Sequence, residues 1–170
     1  MQTFIALLRA VNVGGTGKLL MSELQALCEQ AGFAQVRTYI ASGNVVFRSE
    51  RSAAQVKARL EASLLTHGGK PVGVLVRTGA EMATVLAENP FPKAQAKRTV
   101  AIFLDAPPPA DVLATLSGQN GEEVALGRRE VYVHYGAGMA SSRLTIPAAQ
   151  AGTARNMNTV ARLVEMAAGR

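Results

Sequence analysis

Cysteine and histidine are scarce in this sequence, and their scarcity limits its covalent and metal chemistry. Cys28 is the single cysteine among 170 residues, so the chain cannot form an internal disulfide. Neither H-x-x-x-H nor C-x-x-C, two short spacings that bind metals, occurs in the chain. We therefore expect no metal, no cofactor and a location in the reducing cytoplasm.

Long apolar runs are missing as well. A membrane-spanning helix needs about 20 consecutive apolar residues, and no stretch of the chain approaches that length. The opening residues, MQTFIALLRAV, carry no basic segment ahead of their short apolar run. We therefore expect neither a membrane span nor a secretory signal peptide.

Aromatic residues make up 5% of the chain, and tryptophan is absent. Proteins bind single-stranded nucleic acids largely by stacking the bases on aromatic rings. The aromatic signature of RNA-recognition domains does not occur in this sequence. However, 18 basic residues outnumber 12 acidic ones and give a formal net charge of +6. This balance favours anionic partners such as nucleotides or nucleic acid, although a basic surface can also serve solubility alone. Nucleic acid is thus weakly supported as a partner, and the oligomeric state stays open.

Groups suited to acid–base or nucleophilic catalysis are few. The two aspartates, Asp105 and Asp111, lie away from every motif, and Cys28 falls on an apolar helical stripe that predicts a buried thiol. Ser42 and Ser142 have no base near them in the sequence that could activate them. The sequence therefore identifies no catalytic residue.

What the chain does contain is an alternation of short apolar runs and amphipathic stretches, which predicts an α+β protein. In the first half, strands are predicted over 3–9, 36–41, 44–48 and 71–77, and helices over 22–32 and 52–65. Capping boxes from Ser22 to Gln25 and from Ser52 to Gln55 are expected to start the helices. The order β-α-β-β-α-β is that of a ferredoxin-like unit.

The second half repeats this order without the last strand. Strands are predicted over 98–105, 122–127 and 130–136, and helices over 107–118 and 153–169. We therefore expect two tandem ferredoxin-like subdomains, 1–77 and 98–170, joined by a helical connector over 78–97.

The topology of the first half brings polar residues to one edge of its sheet. The first two strands are expected to be parallel, so the loop AVNVGGTGK after the first strand and the turn SGN after the second lie at the same edge. The residues that can then converge beside a helix N-terminus are Arg9, Asn12, Lys18, Ser42 and Asn44. A Gly-rich loop that leads into a helix can hold an anion.

This loop matches neither of the familiar nucleotide-binding motifs. Asn12 occupies the position of the first glycine of the P-loop motif, and Leu20 occupies that of the third glycine of the dinucleotide motif. Gly14 and Gly15 are equally well explained by a tight turn.

The last predicted helix carries a second group of polar residues. Arg155, Asn158, Thr159 and Arg162 are spaced to share one helical face. If the helix begins at Thr153, Arg155 lies in the first turn, where the helix dipole disfavours a cation. A bound anion would resolve this conflict, and so would a later start with Asn156 as the cap. An ordinary solvated polar face is the remaining alternative.

Several motifs together resemble the domain-of-unknown-function family 1697. They are ALLRAVNVGG, MSELQAL, VRTYIASGNVVF, VLVR, NPFP, VYVHYGAGMASSRL and TARNMNTVARLVEMA. The resemblance covers nearly the whole chain and implies a cytoplasmic bacterial protein with two ferredoxin-like subdomains and no established activity. Residues that match the recurrent polar positions of the family are Arg9, Asn12, Gly14, Gly15, Thr38, Ser42, Gly43, Asn44, Ser142, Arg155, Asn156, Asn158 and Thr159. Met157 stands where the family usually has an aromatic residue, which would either stack on a ligand or fill the core.

These observations favour a binding module for an anionic, phosphate-bearing ligand such as a nucleotide or nucleic acid. The alternatives are a metal-independent enzyme acting on a small phosphorylated or carboxylated substrate, and a protein-interaction scaffold whose polar motifs stabilise the subdomain junction. The residues expected to line the pocket are Arg9, Asn12, Ser42, Asn44, Arg155 and Asn156, and the wider set adds Gly14, Gly15, Gly43, Asn158 and Thr159.

Overall fold

The computed structural model describes residues 1–13, 18–136 and 138–170, and it has an α+β fold. Two compact units are present: one contains Met1–Met82 and Leu163–Arg170, and the other contains Ala83–Arg162. Each unit is built on a four-stranded antiparallel sheet. No helix in the described part of the chain is long and apolar enough to cross a membrane.

The sheet of the first unit contains β1 (Gln2–Leu8), β2 (Ala34–Tyr39), β3 (Asn44–Ser49) and β4 (Val74–Thr78), in the order β2-β3-β1-β4. All neighbouring strands are antiparallel. Hence β1 and β2 run parallel with β3 between them, as the sequence predicts.

Two helices, α1 (Met21–Gln30) and α2 (Ala53–Gly68), connect these strands. Alternate strand residues, including Phe4, Leu8 and Phe47, join the apolar faces of both helices in one core. Cys28 is fully buried there, and burial, with a smaller contribution from the charge of Glu29, raises the pKa of its thiol to about 12. The predicted buried cysteine is thereby confirmed.

The two predicted capping boxes have different outcomes. The box at Ser52 is confirmed, since the Ser52 hydroxyl accepts from the Gln55 N–H at 3.2 Å and the Gln55 amide accepts from the Ser52 N–H at 3.0 Å. The box from Ser22 to Gln25 is wrong because α1 begins at Met21, with Leu20 as the N-cap. The Leu20 N–H donates instead to the Glu23 carboxylate at 3.0 Å.

The second unit has a sheet with the same strand order, β6-β7-β5-β8. Its strands are β5 (Thr99–Phe103), β6 (Glu123–Leu126), β7 (Glu130–His134) and β8 (Thr153–Asn156). The two remaining helices are α3 (Gly79–Ala87) and α4 (Met157–Ala167).

The helix predicted over 107–118 is wrong. Only a three-residue 3-10 helix, Val112–Ala114, forms there. Prolines at 107, 108 and 109 remove backbone donors and push the residues before them out of the α region. The segment ends where Ser117 forms an isolated bridge with Thr145.

The helix predicted over 153–169 begins four residues later, at Met157. Residues 153–156 instead form β8, in which Thr153 pairs with Phe103 and Arg155 pairs with Ala101. The Asn156 side chain accepts from the Thr159 N–H at 3.0 Å and caps the helix. The later start with Asn156 as the cap is therefore the correct alternative, and β8 supplies the fourth strand that the sequence-based order lacks.

Candidate functional site

Asn12 ties two separate loops together at the end of β1. Its amide nitrogen donates to the carbonyl oxygens of Leu19 and Ala41, both at 2.8 Å. Its amide oxygen accepts from the Leu19 N–H at 2.6 Å. The side chain thus joins both ends of the glycine-containing loop to the hairpin between β2 and β3. Gly14 and Gly15, which were predicted to bind the ligand, lie outside the described residues.

The hairpin approaches β1 closely, and Gly43 makes this approach feasible. Gly43 has a φ of +90°, and its carbonyl accepts from the Leu8 N–H at 2.8 Å. A Cβ atom added at this glycine would lie 2.7 Å from Val11 Cγ2 and 2.9 Å from Leu8 Cβ. Both the backbone conformation and the lack of space therefore require glycine.

Asn44 is fully buried at the start of β3. Its amide nitrogen donates to the Tyr39 carbonyl at 2.8 Å and to the Ser42 hydroxyl at 3.0 Å. These bonds hold the ends of the hairpin and leave Ser42 itself exposed. Asn44 therefore fixes the conformation of the hairpin from a buried position.

The exposed polar side chains of this region, which we call the β1 edge, include Arg9, Lys18 and Ser42. The Arg9 N–H donates to the Gly73 carbonyl at 2.8 Å, so the segment that leads into β4 belongs to the same edge. The first turn of α1 is also here, and its Glu23 carboxylate already accepts from the Leu20 N–H. Arg9 and Lys18 are two exposed cations of this edge.

Arg155 is predicted to join this site, and it lies in β8 of the second unit with 7% of its surface exposed. Its guanidinium donates to the Thr153 hydroxyl at 2.8 Å and to the Ala154 carbonyl at 2.9 Å. Burial lowers the pKa of Arg155 to about 10. The conflict with the helix dipole does not arise, because the residue precedes α4.

The other predicted residues of this group have distinct environments. Asn156 caps α4, Asn158 is exposed, and Thr159 is 6% exposed. The single helical face predicted for Arg155, Asn158, Thr159 and Arg162 is wrong for Arg155, which belongs to a strand. Their membership of a common pocket with Arg9 stays a prediction. Met157 is 2% exposed and therefore fills the core.

A cleft of about 270 Å³ in the second unit includes Glu122 and Ser142 in its lining. The Ser142 hydroxyl donates to the Glu122 carboxylate at 2.6 Å, and this bond lowers the pKa of Glu122. A carboxylate stabilised in its ionised form is a weak general base, so the arrangement gives the serine little activation. The two residues are 20 positions apart, and no sequence pattern indicates the pairing.

Comparisons with known proteins give a family and a fold. A family described as "Protein of unknown function (DUF1697)" matches residues 1–132 of the chain. A solved structure of a conserved bacterial protein, SP0830 from Streptococcus pneumoniae, is similar with a TM-score of 0.80 and 22% sequence identity, over 98% of each chain. The search of curated proteins gives no match. The chain belongs to the DUF1697 family, as its motifs had indicated.

Proposed function

We propose that the protein is a binding module for a phosphate-bearing small molecule, such as a nucleotide, which it holds at the β1 edge. The observation that carries this proposal is the Asn12 side chain, which joins Leu19, ahead of α1, to Ala41 in the hairpin. Because Leu19 and Ala41 are both fixed to Asn12, the exposed Lys18 and Ser42 each lie next to a residue that is held in place. Preorganisation of this kind reduces the entropic cost of binding.

The charge of the β1 edge supports an anionic ligand. Glu61 near the start of β4 pairs with Lys57 at 3.2 Å and accepts from the Val74 N–H at 3.1 Å. Glu23 likewise lies 2.9 Å from His67. Arg9 and Lys18 are exposed and add positive charge at this edge. The planar fork of an arginine suits phosphate and carboxylate groups.

Replacing Arg9 by alanine should weaken binding of pyrophosphate and ATP by about 1.5–3 kcal/mol, the range for hydrogen bonds to charged groups. Isothermal titration calorimetry of the wild type and the variant measures this loss. Arg51→Ala removes another exposed arginine of the first unit and is the matched control. Equal affinities of wild type and Arg9→Ala would contradict the proposed site.

Nucleic acid is the alternative form of the anionic ligand. We expect binding of a labelled single-stranded RNA to be weak and to fall steeply between about 50 and 200 mM salt, because it depends on counterion release. Fluorescence anisotropy across a salt series tests this expectation. Tight binding at physiological salt would instead make nucleic acid the leading ligand.

One observation favours the scaffold alternative. Asn44 and Arg155 are buried and donate to neighbouring protein groups, as residues with a purely structural role would do. The scaffold interpretation predicts that pyrophosphate has the same effect on the melting temperatures of the wild type and of Arg9→Ala. The binding module predicts that the temperature rises with anion concentration and that the rise is smaller in Arg9→Ala.

We further propose that both units are ferredoxin-like subdomains of a cytoplasmic bacterial protein. The matching orders β2-β3-β1-β4 and β6-β7-β5-β8 support this architecture, although 3-10 segments replace helices between the strands of the second sheet. The single buried thiol is compatible with a reducing compartment. The bacterial source of the similar solved structure supports a bacterial origin.

A further inference from the structure

A second cleft lies at the other end of the first unit's sheet, away from the β1 edge. It measures about 250 Å³, and residues 166–169 form one of its walls. Thr3, Gln35, Arg37 and Arg48 contribute to the sheet side. Thr3 pairs with Arg48 near the beginning of β1, whereas Leu7 pairs with Asn44 near its end. The cleft and the β1 edge are therefore distinct places on the sheet.

Arg48 has an unsatisfied donor in this region. Its Nη2 donates to the Met1 carbonyl at 2.9 Å. Its Nε is buried and has no hydrogen-bond partner within residues 1–13, 18–136 and 138–170. A buried guanidinium N–H without an acceptor is unfavourable and is uncommon in folded proteins. An acceptor supplied from outside the chain would remove this cost.

Arg37 places a second cation on the same face of the sheet. It lies opposite Val46 in the pairing of β2 with β3, and Val46 is two residues from Arg48 in its strand. Side chains two residues apart along a strand point to the same face. A register shift between Ala34 and Arg37, with Gln35 at a φ of +53°, bends β2 beside the cleft. Bulges of this kind redirect neighbouring side chains.

The end of α4 explains the presence of cations here, but it does not satisfy Arg48 Nε. The negative end of a helix dipole attracts positive side chains. However, backbone N–H groups of residues 168–170 already donate to the carbonyls of Val164, Glu165 and Met166. The Nε atom still has no acceptor in the described part of the chain. These three carbonyls are therefore capped without this arginine.

We propose that this cleft binds a small oxyanion, the phosphate or carboxylate group of a ligand, through Arg48 Nε–H and the guanidinium of Arg37. Two arginines line the sheet side of the cleft, and the planar fork of a guanidinium suits phosphate and carboxylate groups. The volume greatly exceeds the roughly 15 Å³ that one water molecule requires, so an anion has room beside its hydration water. This site is additional to the β1 edge and does not depend on the function proposed there.

Nuclear magnetic resonance of the arginine Nε–H groups tests the proposal directly. The full chain is titrated with sodium phosphate, and separately with sodium acetate, at constant ionic strength. We expect phosphate or acetate to shift the Arg48 Nε–H signal in a saturable manner. The anion that saturates the shift at the lower concentration identifies the preferred group. If the signal responds to neither anion, water satisfies this donor and the proposal is overturned.

Three variants separate a specific site from general charge. Arg48→Lys keeps the charge but removes the Nε donor, and Arg37→Met removes the exposed partner without disturbing a buried group. Each should weaken anion binding by about tenfold or more, while Arg51→Met should leave it nearly unchanged. Equal losses in all three variants would overturn the proposal. So would loss of the Arg48 response in Arg9→Ala, which would assign binding to the β1 edge.

Discussion

Gly43→Ala is expected to destabilise the first unit by about 3–5 kcal/mol, whereas Gly32→Ala should cost only about 1–2 kcal/mol. Gly43 has a φ of +90° and Gly32 a φ of +92°, so alanine meets the same backbone penalty at both positions. The difference lies in the space around them. A Cβ at Gly43 would meet Val11 and Leu8 at less than 3 Å, and a Cβ at Gly32 would meet nothing within 4 Å.

Thermal unfolding of the two variants gives the comparison. A difference of about 2 kcal/mol corresponds to roughly 4–8 °C for a chain of this size. Both glycines have a left-handed backbone, so the difference between Gly43→Ala and Gly32→Ala measures only the effect of the close approach of the hairpin to β1. Equal losses of melting temperature would show that the hairpin moves aside to accept the methyl group, and that the approach of Gly43 is not a strict requirement.

The same variant links stability to the proposed function. Gly43 lies between the exposed Ser42 and the buried Asn44, so displacing it moves the hairpin that Asn12 holds. We therefore expect weaker pyrophosphate binding in Gly43→Ala even at temperatures where the variant is folded. Gly32 lies outside the β1 edge and serves as the matched control for this measurement as well.

Elements with a strong local signal were predictable from the sequence. The apolar runs of β1, β3 and β4 lie within three residues of their predicted bounds, because a buried strand has few polar positions that could be misread. The positive φ of Gly43 also follows from local turn chemistry. With the β-α-β-β-α-β order, these signals were enough to place the loop after β1 and the hairpin at one edge.

Features that depend on distant partners were not predictable. The four residues of β8 carry no strong strand signal and are ordered by pairing with β5, about 50 positions earlier. Asn12 bonds to Ala41, 29 positions away, so its structural role is not visible in its own loop. The unsatisfied Arg48 Nε likewise results from burial by other segments. The local sequence pattern therefore indicated where the candidate site lies, but it did not show which of its residues are structural and which are exposed.

Arg155 decides between a binding role and a structural role for the second predicted group. Its side chain is long, 7% exposed and bonded to Thr153 and Ala154. Removing it leaves a cavity and unsatisfied groups, so Arg155→Ala should lose about 2–5 kcal/mol of stability. Arg155→Met keeps most of the volume and removes a buried charge, so we expect it to remain within about 1.5 kcal/mol of the wild type.

The pH dependence of this pair has a defined sign. Burial lowers the pKa of Arg155 to about 10, below its value in the unfolded chain, so the folded protein bears the cost of the buried charge at every pH below about 10. That cost is relieved only as pH rises above 10, where the folded state binds fewer protons than the unfolded state. The stability difference between wild type and Arg155→Met should therefore stay constant between about pH 6 and 9.

Denaturant unfolding of wild type, Arg155→Ala and Arg155→Met, each with and without pyrophosphate, distinguishes the two roles. If Arg155 is structural, Arg155→Ala should lose much of the free energy of unfolding and Arg155→Met should lose little. Pyrophosphate should then have the same effect on all three proteins. If Arg155 binds the ligand, pyrophosphate should stabilise the wild type alone. An anion raises the free energy of unfolding only when it binds the folded state more tightly than the unfolded state, and here that binding would require the Arg155 guanidinium. We expect the structural pattern, since Arg155 is buried and donates to Thr153 and Ala154 of its own strand. If pyrophosphate stabilises the wild type alone, the result would contradict the structural role and support the ligand-binding role predicted for Arg155 from the sequence.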